Sequence, residues 1–144
     1  MTIQHSTDSV TVLTGMYAAE AAYMAAGGPG KADFAGMAPF FAPEVVLHQA
    51  EGLPYGGVWR GHAGVEACVR AMSETWEVFD FVRQEFLGTG PTVVVRTDVH
   101  ARSRATGREI DFPILQTVAV VDGRITDVRP YYWDTAAIAD ACHR

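Results

Sequence analysis

The sequence predicts an α+β domain, with helices packed on one face of a curved sheet. Three observations carry this. Apolar residues recur at helical spacing through the first half, period-two alternation fills the second half, and Asp122-Gly123 marks a tight hairpin within it. At 144 residues the chain is long enough for one domain, 1–144, with a substantial core.

Val10, Leu13, Tyr17, Ala21 and Met24 share a helical face after the polar run "HSTDS", which predicts a first helix over about 9–26, and "GGPG" stops it. Asp33 caps a short helix over about 33–41 that ends before Pro43, and "EVVLHQA" gives the first strand, about 44–50. With four glycines and a proline, "EGLPYGGVWRG" reads as a loop in which "GVW" can pair briefly with a neighbour. Val65, Cys68, Val69, Met72, Trp76 and Phe79 form the stripe of a third helix, about 62–78. Strands follow over about 79–87, 92–103, 109–121 and 124–133, joined by "GTGP", "RATGR" and "DG", and Asp134 caps a terminal helix begun by "TAAIAD".

Composition narrows the function. A net charge of -6, a pI near 5.2 and a single lysine, Lys31, argue against nucleic acid as a partner. The N-terminus carries no basic leader, and no apolar run reaches the roughly 20 residues that span a bilayer, so the expectation is a cytoplasmic protein without a membrane partner. Cys68 and Cys142 lie far apart without metal-ligand spacing, which predicts reduced thiols and no metal. Neither a phosphate-cradling glycine loop nor a Gly-x-Ser-x-Gly elbow occurs. Cofactor-free acid/base or shape-based catalysis, or simple binding, is left.

Gln116 interrupts the apolar face Ile110, Phe112, Ile114, Val118, Val120 and is expected deep against the helices. On the preceding strand, Arg96, Asp98 and His100 share a face, and an arginine two residues from an aspartate can hold it ionised and oriented for proton transfer. Register decides whether that face looks in or out. Closing the hairpin tightly over "RATG" pairs Val95 with Gln116; a loop one residue longer pairs Arg96 with it and exchanges the faces. The pattern leaves both open. His48 on the first strand and Glu51 just after it are further proton-transfer candidates. Tyr55, Trp59, Tyr131, Tyr132 and Trp133 are core or interface aromatics by type, some of them candidates to line a ligand site, and Tyr17 and Met24 project from the first helix towards the sheet as core or pocket wall.

The order of elements, with "LPYGGVWRGHAGV", "TGREIDF" and "DGRITDVRPYYWD", resembles the nuclear transport factor 2-like superfamily, and within it the SnoaL-like polyketide cyclases, relatives of ketosteroid isomerases and limonene epoxide hydrolases. The resemblance implies a cone-shaped curved sheet wrapped around three helices, a deep pocket between them, a homodimer and no cofactor. Arg96-Thr97-Asp98 looks like the Arg-x-Asp of the epoxide hydrolases, but the second aspartate of that family falls near Pro130, so its water-activating partner is missing. The cyclases' acid/base aspartate aligns with Gln116, whose amide can polarise a carbonyl but cannot abstract a proton. The isomerases carry their base on the first strand, near His48 and Gln49.

The resulting expectation is a cyclase acting on a hydrophobic, polyketide-like small molecule in natural-product biosynthesis, closing a ring by cycloaddition as in indane-forming members. Gln116, Asp98, Arg96, His48 and Glu51 would be catalytic. Tyr17, Met24, Tyr55, Trp59, Met72, Trp76, His100, Phe112, Ile114, Tyr131 and Trp133 would hold the substrate. The alternatives are an isomerase or epoxide hydrolase of the same fold, or a non-catalytic small-molecule binding protein.

Overall fold

The computed structural model describes residues 3–88 and 90–144, with backbone alone for residues 3–8. The turn "GTGP" includes residue 89, which lies outside the described residues.

Helix α1 runs Ile3–Ala25, starting ahead of the polar run because neither glycine nor proline precedes Gly15. Its buried positions are Ser9, Leu13, Met16 and Tyr23. That stripe is rotated from the expected one and leaves Met24 45% exposed, so Met24 is corrected from ligand wall to surface. Gly28 ends the helix at φ +66°, with its N–H donating to the Tyr23 carbonyl at 3.0 Å. Two 3-10 turns, Phe34–Gly36 and Ala38–Phe40, replace the expected second helix. Gly36 weakens an α-helix there, and Pro39 lacks the N–H to continue one. Asp33 does cap the first turn, accepting from the Ala35 N–H at 2.9 Å.

Strand β1 spans Phe41–Gln49 and pairs antiparallel with β2, Gly57–Arg60, inside the expected loop. Helix α2, Gly61–Thr75, then buries Val65 and Cys68. It stops where Trp76 turns extended (φ -110°, ψ 129°), so Trp76 and Phe79 belong to β3, Trp76–Leu87, and not to the helical stripe. The run "WEVFDF" is rich in aromatic residues, which sit well on a pleated surface and outweigh the helical spacing. Strands β4 (Thr92–Ser103), β5 (Glu109–Val121) and β6 (Arg124–Tyr132) continue antiparallel, and helix α3 (Thr135–Cys142) starts at the Asp134 cap.

The sheet is mixed and unclosed, in the order β2-β1-β6-β5-β4-β3, because β1 runs parallel to β6. Register breaks in β3, in β1 and between β5 and β6 bend it into a curved trough. Asp122 and Gly123 both take positive φ, 52° and 76°, in the tight turn between β5 and β6.

The β4/β5 hairpin closes in the tight register. The Ser103 N–H donates to the Arg108 carbonyl at 2.9 Å, and Gly107 at φ +74° supplies the left-handed residue the short loop needs. Val95 therefore pairs with Gln116 and Arg96 with Leu115. Val93, Val95, Thr97, Val99 and Ala101 are buried, and Arg96, Asp98 and His100 point the other way.

Apolar burial forms two clusters. One joins Leu13, Met16, Val45, Val95 and Ile125; the other joins Leu53, Tyr55, Trp76, Phe112 and Ile138.

Candidate active site

Residues from both clusters wall a cavity of about 120 Å³ between the helices and the inner face of the sheet. Helix α1 contributes Met16, Tyr17 and Glu20, helix α2 Cys68 and Met72, and the strands mostly apolar side chains with a few polar exceptions.

The first exception is Gln116, whose Nε2 donates to the Tyr17 hydroxyl oxygen at 2.8 Å. Period-two alternation on β5 aims Gln116 inward, and α1 presents Tyr17 across the cavity from it. Burial first, then the nearby Glu20 carboxylate, pushes the Tyr17 phenol well above its ordinary value. It stays protonated at any physiological pH, and because Gln116 uses only the oxygen's lone pair, the phenol keeps a proton to donate. Gln84 also reaches Tyr17 and donates to the Thr97 hydroxyl at 3.4 Å, and Phe81 packs edge-on against the Tyr17 ring at 5.9 Å between centroids.

Glu20 sits three residues beyond Tyr17 on the same face of α1. Burial pushes its carboxyl up to about 7. Among the described residues it is the one carboxylate lining the cavity, and no Lys, Arg or His lines it.

Gln49, 8% exposed, reaches the cavity from β1. Its Nε2 faces the sulfurs of Cys68 at 3.7 Å and Met72 at 4.0 Å, while its Oε1 is buried without a partner among the described residues. The Cys68 thiol, pushed up to about 11 by burial, is no ready nucleophile.

Of the residues expected to hold a substrate, Tyr17, Met72 and Ile114 line the cavity, and Gln116 does so among the expected catalytic ones. The others lie elsewhere. Asp98 and Arg96 are on the outer face, 3.6 Å apart, and His100 is outside with Asp111 at 2.6 Å and Glu109 at 2.9 Å. Those two carboxylates, Asp111 foremost, raise the imidazole above its ordinary value. Their inward placement is corrected by the tight register, which turns the whole charged row to solvent.

His48 also faces outward, since Leu47 and Gln49 take the cavity side of β1; its Nε2 lies 2.9 Å from Asp127. Glu51, exposed at the strand end, borders a more open depression with His48 and Arg129 instead of the cavity. Tyr55, Trp76 and Phe112 fill the second cluster: the Tyr55 hydroxyl meets that of Tyr132 at 2.9 Å and accepts from Trp76 Nε1 at 3.2 Å. Trp59 donates to the Tyr55 carbonyl at 3.2 Å and so braces that cluster. Tyr131 and Trp133 are surface residues, 57% and 82% exposed. The expected substrate contacts of these six aromatics are therefore corrected: three are packed into the core, one supports it, and two face solvent.

Glu20 and Gln49 were not singled out as site residues from the sequence. The signal for Glu20 is a stripe drawn through Leu13, Met16, Tyr17, Glu20 and Tyr23, which places one acid among apolar side chains.

A family model described as a SnoaL-like domain matches residues 10–128. An NTF2-like protein from Burkholderia xenovorans LB400 is similar in structure, with a TM-score of 0.82 at 24% identity over 95% of this chain and 97% of that one. TerC, co-crystallised with polyporic acid, is similar at a TM-score of 0.77 and 20% identity over 94% of this chain and 98% of its own. A candidate polyketide cyclase from Pseudomonas putida KT2440 is similar at 0.68 and 16% identity over 90% and 95%. No curated protein matches the chain.

Proposed function

Because this chain belongs to the SnoaL-like domain family, within the NTF2-like superfamily, we propose that it catalyses a cofactor-free isomerisation or ring closure of a small hydrophobic carbonyl compound. The observation that carries this reading is the hydrogen-bonded Tyr17/Gln116 pair set in a mostly apolar cavity. A protonated phenol whose oxygen already accepts from an amide is a fixed donor for a carbonyl oxygen. It strengthens as charge develops there, and in other enzymes removing one such donor lowers turnover by about 10² to 10³.

Cavity size refines the substrate. An engineered apolar cavity of about 150 Å³ holds one benzene, and the cavity here is about 120 Å³. A one-ring guest matches that space. Confinement supports ring closure as well, since holding the reacting ends together is worth roughly 7 to 11 kcal/mol in favourable intramolecular cases. TerC's crystallisation with polyporic acid supports a small organic ligand for this fold. The homodimer implied by the family resemblance would use the outer face, where Leu115, Tyr131 and Trp133 are exposed, and sedimentation tests it.

Cyclohex-3-enone is the test compound, because its conversion to the conjugated cyclohex-2-enone needs a polarised carbonyl and is read by ultraviolet absorbance. Conversion above the buffer rate that falls about a hundredfold in Tyr17→Phe is the expected result. The enone bound but returned unchanged would make the protein a carrier and overturn the reading.

A further inference from the structure

We propose that Glu20 is the proton-transferring residue of this cavity and that its substrates are carbonyl compounds with a removable hydrogen on the adjacent carbon. This rests on the proposed function and adds to it a residue on the helix layer, where the sheet supplies no acid. The carboxylates and imidazoles of β1 and β4 that sequence alone favoured all lie off the cavity: Asp98, His100 and His48 face outward, and Glu51 is exposed beyond the strand end. Glu20 faces in, one turn along α1 from the Tyr17 donor, with no hydrogen-bond or ion-pair partner among the described residues.

A half-buried carboxylate on a mostly apolar wall, with no cation lining the cavity among the described residues, loses hydration without compensation, and use in proton transfer explains its placement. The other titratable groups lining the cavity are Tyr17 on α1, Cys68 on α2 and Tyr132 on β6. Burial raises all three, so each is uncharged near neutrality. Glu20 alone changes charge there, with its carboxyl near 7.

In the step assigned to it, the Glu20 carboxylate takes the hydrogen from the carbon beside the carbonyl. The C–H electron pair becomes the new C=C bond, and the carbonyl π pair moves onto the oxygen, where the Tyr17 O–H holds it. For isomerisation, protonated Glu20 returns the proton to another carbon of the delocalised system. For ring closure, the enolate carbon bonds to a second carbonyl carbon and Glu20 protonates the resulting alkoxide. Glu20 ends as a carboxylate in both cases, and no oxidant or reductant enters.

The test follows exchange of the α-hydrogens of cyclohexanone for deuterium by NMR in heavy water, beside a chemical-shift titration of its binding. Wild-type protein is expected to accelerate exchange over buffer with a rate that rises through an apparent pKa near 7. Glu20→Gln, close in shape, is expected to lower that acceleration at least a hundredfold while cyclohexanone affinity changes less than about threefold. Glu20→Asp, which keeps the carboxyl on a shorter arm, should recover part of the rate. Exchange in Glu20→Gln within threefold of wild type, or binding by the wild type without any acceleration, overturns the assignment alone. Failure of the wild type to bind cyclohexanone overturns the proposed function, and the assignment with it.

Discussion

On the outer face of β4 and β5, Arg96 stands 3.6 Å from Asp98, and His100 lies between Asp111 at 2.6 Å and Glu109 at 2.9 Å. On the inner face the same two strands offer few polar side chains, Thr97, Ser103 and Gln116, among valines, two isoleucines, an alanine and a phenylalanine. The outer row has more charge and less leverage, because exposed pairs are screened by water and contribute about 0 to 1 kcal/mol each. The inner groups are few, but water is scarce around them, so one hydrogen bond or one proton there counts for far more. Density of charge in the sequence therefore marks solvated surface here, and the isolated polar groups inside are where the proposed chemistry is placed.

The sharpest break in this comparison comes from removing the inner donor. Tyr17→Phe is expected to lower kcat on a ketone substrate by about 10² to 10³, measured at saturating substrate, with fold intact. A second prediction concerns stability against pH. Glu20 holds protons more tightly folded than unfolded, with its carboxyl moved from 4.5 up to about 7. Its contribution is fully present below pH 4.5 and is lost as pH rises towards 7, by about 2 to 3 kcal/mol given its partial exposure to the cavity. Urea titrations of wild type and Glu20→Gln across that window should show the fall in the first and its removal in the second.

A smaller effect separates function from stability at Gln49. Replacing it with Leu removes a buried carbonyl oxygen that has no partner among the described residues, and so should raise unfolding free energy by about 1 kcal/mol in the free protein. An equal loss in stability would show that the amide is satisfied after all. The smallest effects belong outside: Asp98→Asn and His100→Ala should leave turnover within about twofold, and Asp98→Asn should leave stability within about 0.5 kcal/mol. A tenfold loss of turnover from either would move the chemistry to the other face.

Much of the architecture was legible because periodicity and turn chemistry are local. The Asp122-Gly123 hairpin, the Asp33 and Asp134 caps and the inward alternation of Gln116 each follow from a few neighbouring residues. What was not legible depends on a single step of register or rotation. A slip of one residue exchanges the faces of β4, and the deciding feature is the left-handed Gly107 in its loop. The parity of β1, which sends Gln49 inward and His48 outward, is set by pairing with β6, more than eighty residues away in sequence. On α1 a rotated stripe hid Glu20, because Ala21 and Met24 also suit a buried helix face. Trp76 read as helix by spacing and became strand by its backbone, which set its ring in the second cluster and not in the cavity lining.

The most direct measurement is the infrared carbonyl stretch of cyclohexanone bound to the protein. A donor on the inner face predicts a stretch lowered from its value in an apolar solvent, restored towards that value in Tyr17→Phe and unaffected in Asp98→Asn. A stretch that is the same in wild type and Tyr17→Phe, or that responds to Asp98 instead, would contradict the account.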